Sequence, residues 1–165
     1  MLKGKAHRFG DGVSTDLIVP GRYAHLRSNL PELTKHALED ADPEFPKKVS
    51  KGDFVVGGSN FGLGSSREHA PLVIKMSGVS AVVAKSFARI FYRNCINVGL
   101  PAIICDTSRI KAGDLLEVDL QKGTLKDATR GFELKFQALP KVMRVILEDG
   151  GLVGHIKKHG DFKID

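Results

Sequence analysis

The 165-residue sequence predicts an α/β fold with a mixed sheet and crossover helices. Three observations carry that expectation. Short apolar runs at 54–56, 79–84 and 102–105 alternate with helix-period segments, the pattern of parallel strands joined by crossover helices. Beyond residue 115 the period becomes two, first through Leu116, Val118 and Leu120 and then through Phe132, Leu134 and Phe136, as in antiparallel strands with one wet face. A composition of 42% hydrophobic and 27% charged residues excludes disorder as the main state.

Each element follows in order. Lys5 to Phe9 reads as a short strand and Asp11-Gly12 as a turn. Residues 13–20 are rich in β-branched side chains and close on Pro20-Gly21, which puts Asp16 at the end of a strand. Residues 21–52, with Pro31, Pro43 and Pro46, read as a long loop excursion carrying one short helix at 32–39. A buried strand at 54–56 leads into a glycine-rich turn and a helix from about Ser66 to Ser77. Ser86 is the expected N-cap of the next helix, whose apolar face holds Phe87, Ile90, Phe91 and Cys95 and which Gly99 and Pro101 end. Lys122-Gly123 turns the antiparallel section. A last helix after Pro140 carries Leu139, Val142, Met143, Ile146 and Leu147 on one stripe and stops at Gly150-Gly151. The length suits one domain over residues 1–165.

Several function classes drop out. No apolar run approaches the ~20 residues a membrane span needs, and Met1-Leu2-Lys3-Gly4-Lys5 has no secretory apolar core. The two cysteines make no disulfide framework, which favours a reducing, cytoplasmic setting, and they cannot by themselves hold a cofactor that needs three thiolates. The net charge of +6 is spread along the chain, with pairs such as Lys47-Lys48 and Lys157-Lys158 rather than runs, so no nucleic-acid partner is expected. A non-catalytic anion- or RNA-binding module is what charge and a glycine-rich turn alone would suggest. No metal ligands are expected either: His155 and His159 stand four apart, but no Glu follows His155 and no thiolate is near, so they read as a solvated tail.

The chemistry concentrates in residues 57–69, GGSNFGLGSSREH. This segment leaves an apolar strand and enters a helix, where backbone N–H groups converge on anions. It is not a P-loop, because Ser65-Ser66-Arg67 stands where Lys-Ser/Thr belongs, and its glycine spacing is not that of a dinucleotide fingerprint. Two hydroxyls, a guanidinium, a carboxylate and an imidazole fall within five residues, and Arg67 suits bidentate carboxylate recognition, so the predicted ligand is a small carboxylate. Two readings of Ser65 stand side by side. Ser65-x-x-Glu68 fits a helix capping box. Pro71, however, would orphan the Arg67 carbonyl in a helix starting at 66, which argues for a later start and leaves residues 65–67 to face a ligand. His69 reads first as a structural histidine, and Cys95 and Cys105 as small core residues. Asp16 and Arg27 are polar residues within reach of such a site.

Residues 58–70, G-S-N-F-G-x-G-S-S-R-E-H-A, resemble the signature of the aconitase swivel domain. Ser14-Thr15-Asp16-x-Ile18-x-Pro20, Ser86-Phe87-Ala88-Arg89-Ile90-Phe91 and Arg93-Asn94-x-Ile96-Asn97-x-Gly99-Leu100-Pro101 agree in order and spacing. The free-standing form of that domain is the small subunit of isopropylmalate dehydratases, and the likeness covers essentially the whole chain. It implies a swivelling β/β/α domain and a hydro-lyase that isomerises 2-isopropylmalate to 3-isopropylmalate in leucine biosynthesis. It also implies a large-subunit partner, in a heterodimer or heterotetramer, that holds a four-iron four-sulfur cluster whose iron is the Lewis acid. By motif position, Ser65 matches the residue that takes the carbon-bound proton, and Ser66 and Arg67 match residues that bind substrate carboxylate. Asp16 matches a supporting residue that orients a histidine of the large subunit; Gly64, Glu68 and His69 support the same motif. Arg27 lies in the loop 23–28 where the family reads the variable end of its substrate. A guanidinium there suits a third carboxylate, so a homoaconitase-type tricarboxylate preference is the alternative.

Overall fold

In the computed structural model, which describes residues 1–161, strand β1 (Leu2–Arg8) forms the seam of one seven-stranded sheet ordered β4-β3-β2-β1-β5-β6-β7. On one side β1 runs parallel to β2 (Phe54–Val56), followed by β3 (Ala81–Ala84) and β4 (Ala102–Ile104) in the same sense. On the other side β5 (Leu115–Asp119), β6 (Thr124–Asp127) and β7 (Phe132–Lys135) continue antiparallel. The expected mixed sheet is present. Helices α4 (His69–Met76) and α5 (Arg89–Val98) cross over between the parallel strands.

Alternation along the parallel strands feeds two apolar clusters. Val55, Val82 and Ala84 pack with Ile74, Phe91, Cys95 and Leu100 on the helix side. Phe54, Val56, Val83 and Ile103 pack with Leu116, Val118 and Leu125 on the other. Leu125 on β6 shares a cluster with Val83 although β1, β2 and β5 lie between their strands, so the sheet curls over upon itself.

Several elements depart from the sequence reading. Residues 13–20 are not a strand: Ser14 Oγ accepts from the Leu17 N–H at 3.1 Å and caps helix α1 (Thr15–Ile18), so local capping overrides β-branching and Asp16 sits in a first helical turn. The 21–52 excursion is built from a 3₁₀ helix (Gly21–Leu26), α2 (Leu30–Thr34) and α3 (Phe45–Lys48), where a single helix at 32–39 was expected. Leu33, Leu38 and Phe45, all at most 1% exposed, anchor it, and each such burial is worth roughly 1.5–3 kcal/mol. Helix α5 starts at Arg89 rather than after Ser86, and Ile90 is 51% exposed, because at one position from Phe91 and five from Cys95 it lies off their helical face. Strand β6 escaped notice because Leu125 is its one buried apolar residue, the other inward side chain being Asp127.

That aspartate leads to a prediction. Asp127 Oδ2 is buried without a hydrogen-bond partner, and its carboxyl faces Asp114. Burial, then the Asp114 carboxylate, push Asp127 above the usual carboxylate range. Burial opposes ionisation of Asp114 too, but Arg130 Nε and the Lys111 N–H, both at 2.8 Å, hold it below that range. A proton held between the two carboxyls would give the orphan oxygen a partner. Because Asp127 keeps its proton longer folded than unfolded, its contribution falls as pH rises above about 4. Asp127→Asn supplies a donor without a titration. It should raise stability at pH 7 by about 1 kcal/mol and flatten that fall; chemical denaturation across pH checks it, and a loss of stability at pH 7 would refute the shared proton.

The C-terminal helix pair corrects another expectation. After α6 (Lys141–Glu148) the chain turns at Gly150-Gly151 into α7 (Leu152–His159), where a solvated tail was expected. Gly99 and Gly151 have φ of +83° and +119°, and the α5 terminus meets this turn backbone to backbone, so a side chain at either glycine would collide. His155 is fully buried, and Asp149 Oδ2 accepts from His155 Nδ1 at 2.8 Å and His159 Nε2 at 3.0 Å while Oδ1 accepts from Lys158 Nζ at 2.9 Å. These are hydrogen-bond distances, led by Lys158, and they hold the Asp149 carboxyl far below its ordinary range. A depressed carboxyl contributes above its unfolded pKa and loses that contribution as acid protonates it. Asp149→Asn should therefore lower the melting midpoint by roughly a few degrees at pH 7, with the deficit closing in strong acid, as thermal scans would show.

Candidate active site

The glycine-rich turn is shaped by contacts on both flanks. Gly62 (φ +83°) lies against the Phe91 ring, where no side chain fits, and its N–H donates to Val13 O at 2.7 Å. The Asn60 N–H donates to Ser86 Oγ at 2.8 Å, so Ser86 stitches this turn instead of capping α5. On the N-terminal side Ser14 bridges Leu63, and the Thr15 N–H donates to Leu63 O at 2.9 Å.

The capping-box reading of Ser65 fails. Helix α4 begins at His69 behind Glu68, with no side-chain cap, and Pro71 falls in its first turn, where a missing N–H leaves no helical bond unmade. Ser65 and Ser66 are loop residues exposed at the surface, ahead of the helix. Two donors fix the Ser65 carbonyl: Thr15 Oγ1 at 2.9 Å and the Arg67 N–H at 2.8 Å.

Arg67 is half-buried and tied to α1. Its Nη1 donates to Asp16 Oδ1 at 3.0 Å and to Val19 O at 2.6 Å, and Asp16 Oδ1 also accepts from the Gly21 N–H at 3.2 Å. The guanidinium is thereby aimed before any ligand arrives, with its recorded bonds confined to one nitrogen. Asp16, with a side chain 66% exposed, keeps an open face.

Two clefts meet at this turn. The larger, about 420 Å³, is walled by Val19, Pro20, Ala24, Arg27, Arg67 and His69. The smaller, about 120 Å³, runs over Gly64, Ser65, Ala88, Ile90 and Asn94; Ser66 and Arg67 border both. Ser65, Ser66, Arg67, Gly64, Glu68, His69, Asp16 and Arg27 thus gather around one opening. Arg27 lines the larger cleft together with Arg67, its Nε donating to Ala24 O at 3.0 Å. Thr15 was missed by the sequence reading, although its place beside Ser14 and Asp16 in the matching segment was a signal. The Val19 carbonyl was missed too, and no side-chain pattern could have shown it.

This chain does not fit as the holder of an iron–sulfur cluster. Cys95 is fully buried and its thiol is pushed up by burial; Cys105 is pushed up to about 11 by burial and by Asp106. Two cysteines, one of them sealed in the core, are too few thiolates to hold such a cluster.

Known proteins resemble this chain over nearly its full length. Residues 13–106, which contain the whole opening, match the family model of the aconitase C-terminal domain. The 3-isopropylmalate dehydratase small subunit 2 of Archaeoglobus fulgidus is 64% identical over 163 residues, covering 99% of both chains. The small subunit 1 of the Thermotoga maritima enzyme is 58% identical over 98% of both. A Methanocaldococcus jannaschii relative named isopropylmalate/citramalate isomerase small subunit is 52% identical over 96% of this chain and 95% of its own. The crystal structure of a 3-isopropylmalate dehydratase from the same organism superposes with a TM-score of 0.91 at 50% identity, covering 96% of this chain and 95% of that one. Sequence and fold together, over nearly the full length, place the chain in the 3-isopropylmalate dehydratase small-subunit family, within the aconitase C-terminal domain group.

Proposed function

We propose that this chain is the base-supplying half of a hydro-lyase that interconverts 2-isopropylmalate and 3-isopropylmalate in leucine biosynthesis. The observation that carries the reading is the Ser65-Ser66-Arg67 turn, its two serines exposed and its arginine half-buried, held between two clefts ahead of α4. The chain works as one domain, in the reducing, cytoplasmic setting that its two unpaired cysteines suit. Its relatives are named small subunits, so a large subunit completes the site. An iron–sulfur cluster on that partner supplies the Lewis acid.

On this chain's side, Arg67 binds a substrate carboxylate through the donors not spent on Asp16 and Val19, with the Ser66 hydroxyl beside it. Ser65, as the alkoxide, takes the proton from the carbon next to a carboxylate and becomes the hydroxyl while the substrate's own hydroxyl departs. Rehydration delivers that proton to the carbon that lost the hydroxyl and a hydroxyl to the carbon that lost the proton, so the two groups exchange places. An alkoxide needs water excluded and positive charge near, and Ser65 is exposed here; the partner surface closes over the opening. Asp16 positions Arg67 and turns its open face to the partner.

The test is kcat/KM of the complex, reconstituted with a cluster-loaded large subunit, for 2-isopropylmalate, citramalate and homocitrate. The reading expects isopropylmalate to be preferred. A preference for the tricarboxylate, reversed by Arg27→Val, would instead make Arg27 the selector of a homoaconitase-type enzyme. RNA binding that weakens steeply with salt, without hydro-lyase activity, would favour the non-catalytic module.

A further inference from the structure

We propose that Thr15 acts as a proton-swinging partner of Ser65, donating to the serine oxygen whenever that oxygen is charged. The inference rests on the role given to Ser65 above. Thr15 is 3% exposed and borders the smaller cleft beside Ser65. Its backbone is locked, the N–H donating to Leu63 O and the carbonyl accepting from the Val19 N–H, each at 2.9 Å. Its Oγ1 lies 2.9 Å from Ser65 O and 3.5 Å from Ser65 Oγ. A hydroxyl has one proton to give and lone pairs to accept with. With Ser65 protonated, Thr15 gives its proton to the Ser65 carbonyl and can accept from Oγ. With Ser65 as alkoxide, the Thr15 proton swings to Oγ.

The swing leaves nothing unsatisfied. The Ser65 carbonyl keeps its second donor, the Arg67 N–H at 2.8 Å, so Thr15 is free to turn. Space for the motion is kept by Gly64, whose added Cβ would come within 3.3 Å of Thr15 Oγ1 and whose φ of +106° suits glycine. Protons balance. The carbon-bound proton ends on Ser65 Oγ, Thr15 turns back to the carbonyl, and no proton leaves Thr15. Ser14 Oγ is engaged by the Leu17 N–H, and Asp16 by Arg67 and Gly21, so among the side chains of this first turn Thr15 alone reaches Ser65.

The reconstituted complex of Thr15→Val tests this. Removing the hydroxyl should lower kcat about tenfold to a hundredfold, the weight of a hydrogen bond to a charged group, with KM within about twofold and assembly intact. Thr15→Ser, which keeps the hydroxyl and loses the methyl, should restore most of kcat. If Thr15→Val does not assemble with its partner, Thr15→Ala is compared with Thr15→Ser in the same way. Wild-type kcat in an assembled hydroxyl-free variant overturns the proposal, as does an equal loss in Thr15→Ser, which would show a packing role only. Ser65→Ala separates the two levels: if it keeps full activity the serine reading fails first, and if it is inactive while Thr15→Val is normal the proposal alone fails.

Discussion

Ser65→Ala lowers kcat of the reconstituted complex by about 10²–10⁴-fold, the usual weight of a positioned general base. KM should move little, because the proposed carboxylate contacts of Arg67 and Ser66 are kept. Such a split marks an interaction made in the transition state rather than on binding. The turn should survive the change. Ser65 is held through its carbonyl by Thr15 and the Arg67 N–H, and neither bond needs the Ser65 side chain. Normal melting and normal partner assembly would therefore accompany the loss, and a near-normal kcat would remove the serine from the chemistry.

Arg67→Lys is the second large effect, and it falls on binding. One guanidinium nitrogen already serves Asp16 and the Val19 carbonyl, which fixes the plane of the group and leaves its other nitrogens for the ligand. A lysine has one ammonium for all three tasks and no fork to match a carboxylate. Losing one well-made charged hydrogen bond is worth about 1.5–3 kcal/mol and losing both of a bidentate pair more, so kcat/KM should fall at least a hundredfold, mostly through KM. Equal kinetics in Arg67→Lys would show that the carboxylate is bound elsewhere.

The parallel half of the fold was legible because β2, β3 and β4 are continuous apolar runs set between helix-period segments. The candidate site was legible in part: the serine-serine-arginine cluster after a buried strand also fitted a capping box, and Pro71 was the residue that argued for a later helix start and a free turn. What failed was local. A capping serine turned residues 15–18, inside a stretch rich in β-branched side chains, into a helix, and that helix brings Thr15 and Asp16 to the candidate site. Strand β6 carries a buried aspartate at a core position, which no apolar period can report. Helix α7 hides behind a glycine pair that reads as a stop but serves a close backbone approach, and its buried histidine depends on Asp149 from the turn before it.

The central claim is that half of an active site resides here, with Ser65 as its base. The direct measurement is alkene formation from 3-isopropylmalate, followed by ultraviolet absorbance, with this chain alone, a cluster-loaded large subunit alone, the two mixed, and the large subunit mixed with Ser65→Ala. The account predicts dehydration in the wild-type mixture and loss of about 10²–10⁴-fold in the Ser65→Ala mixture, with neither chain active alone. Full dehydration by the large subunit alone, or by the Ser65→Ala mixture, would contradict it.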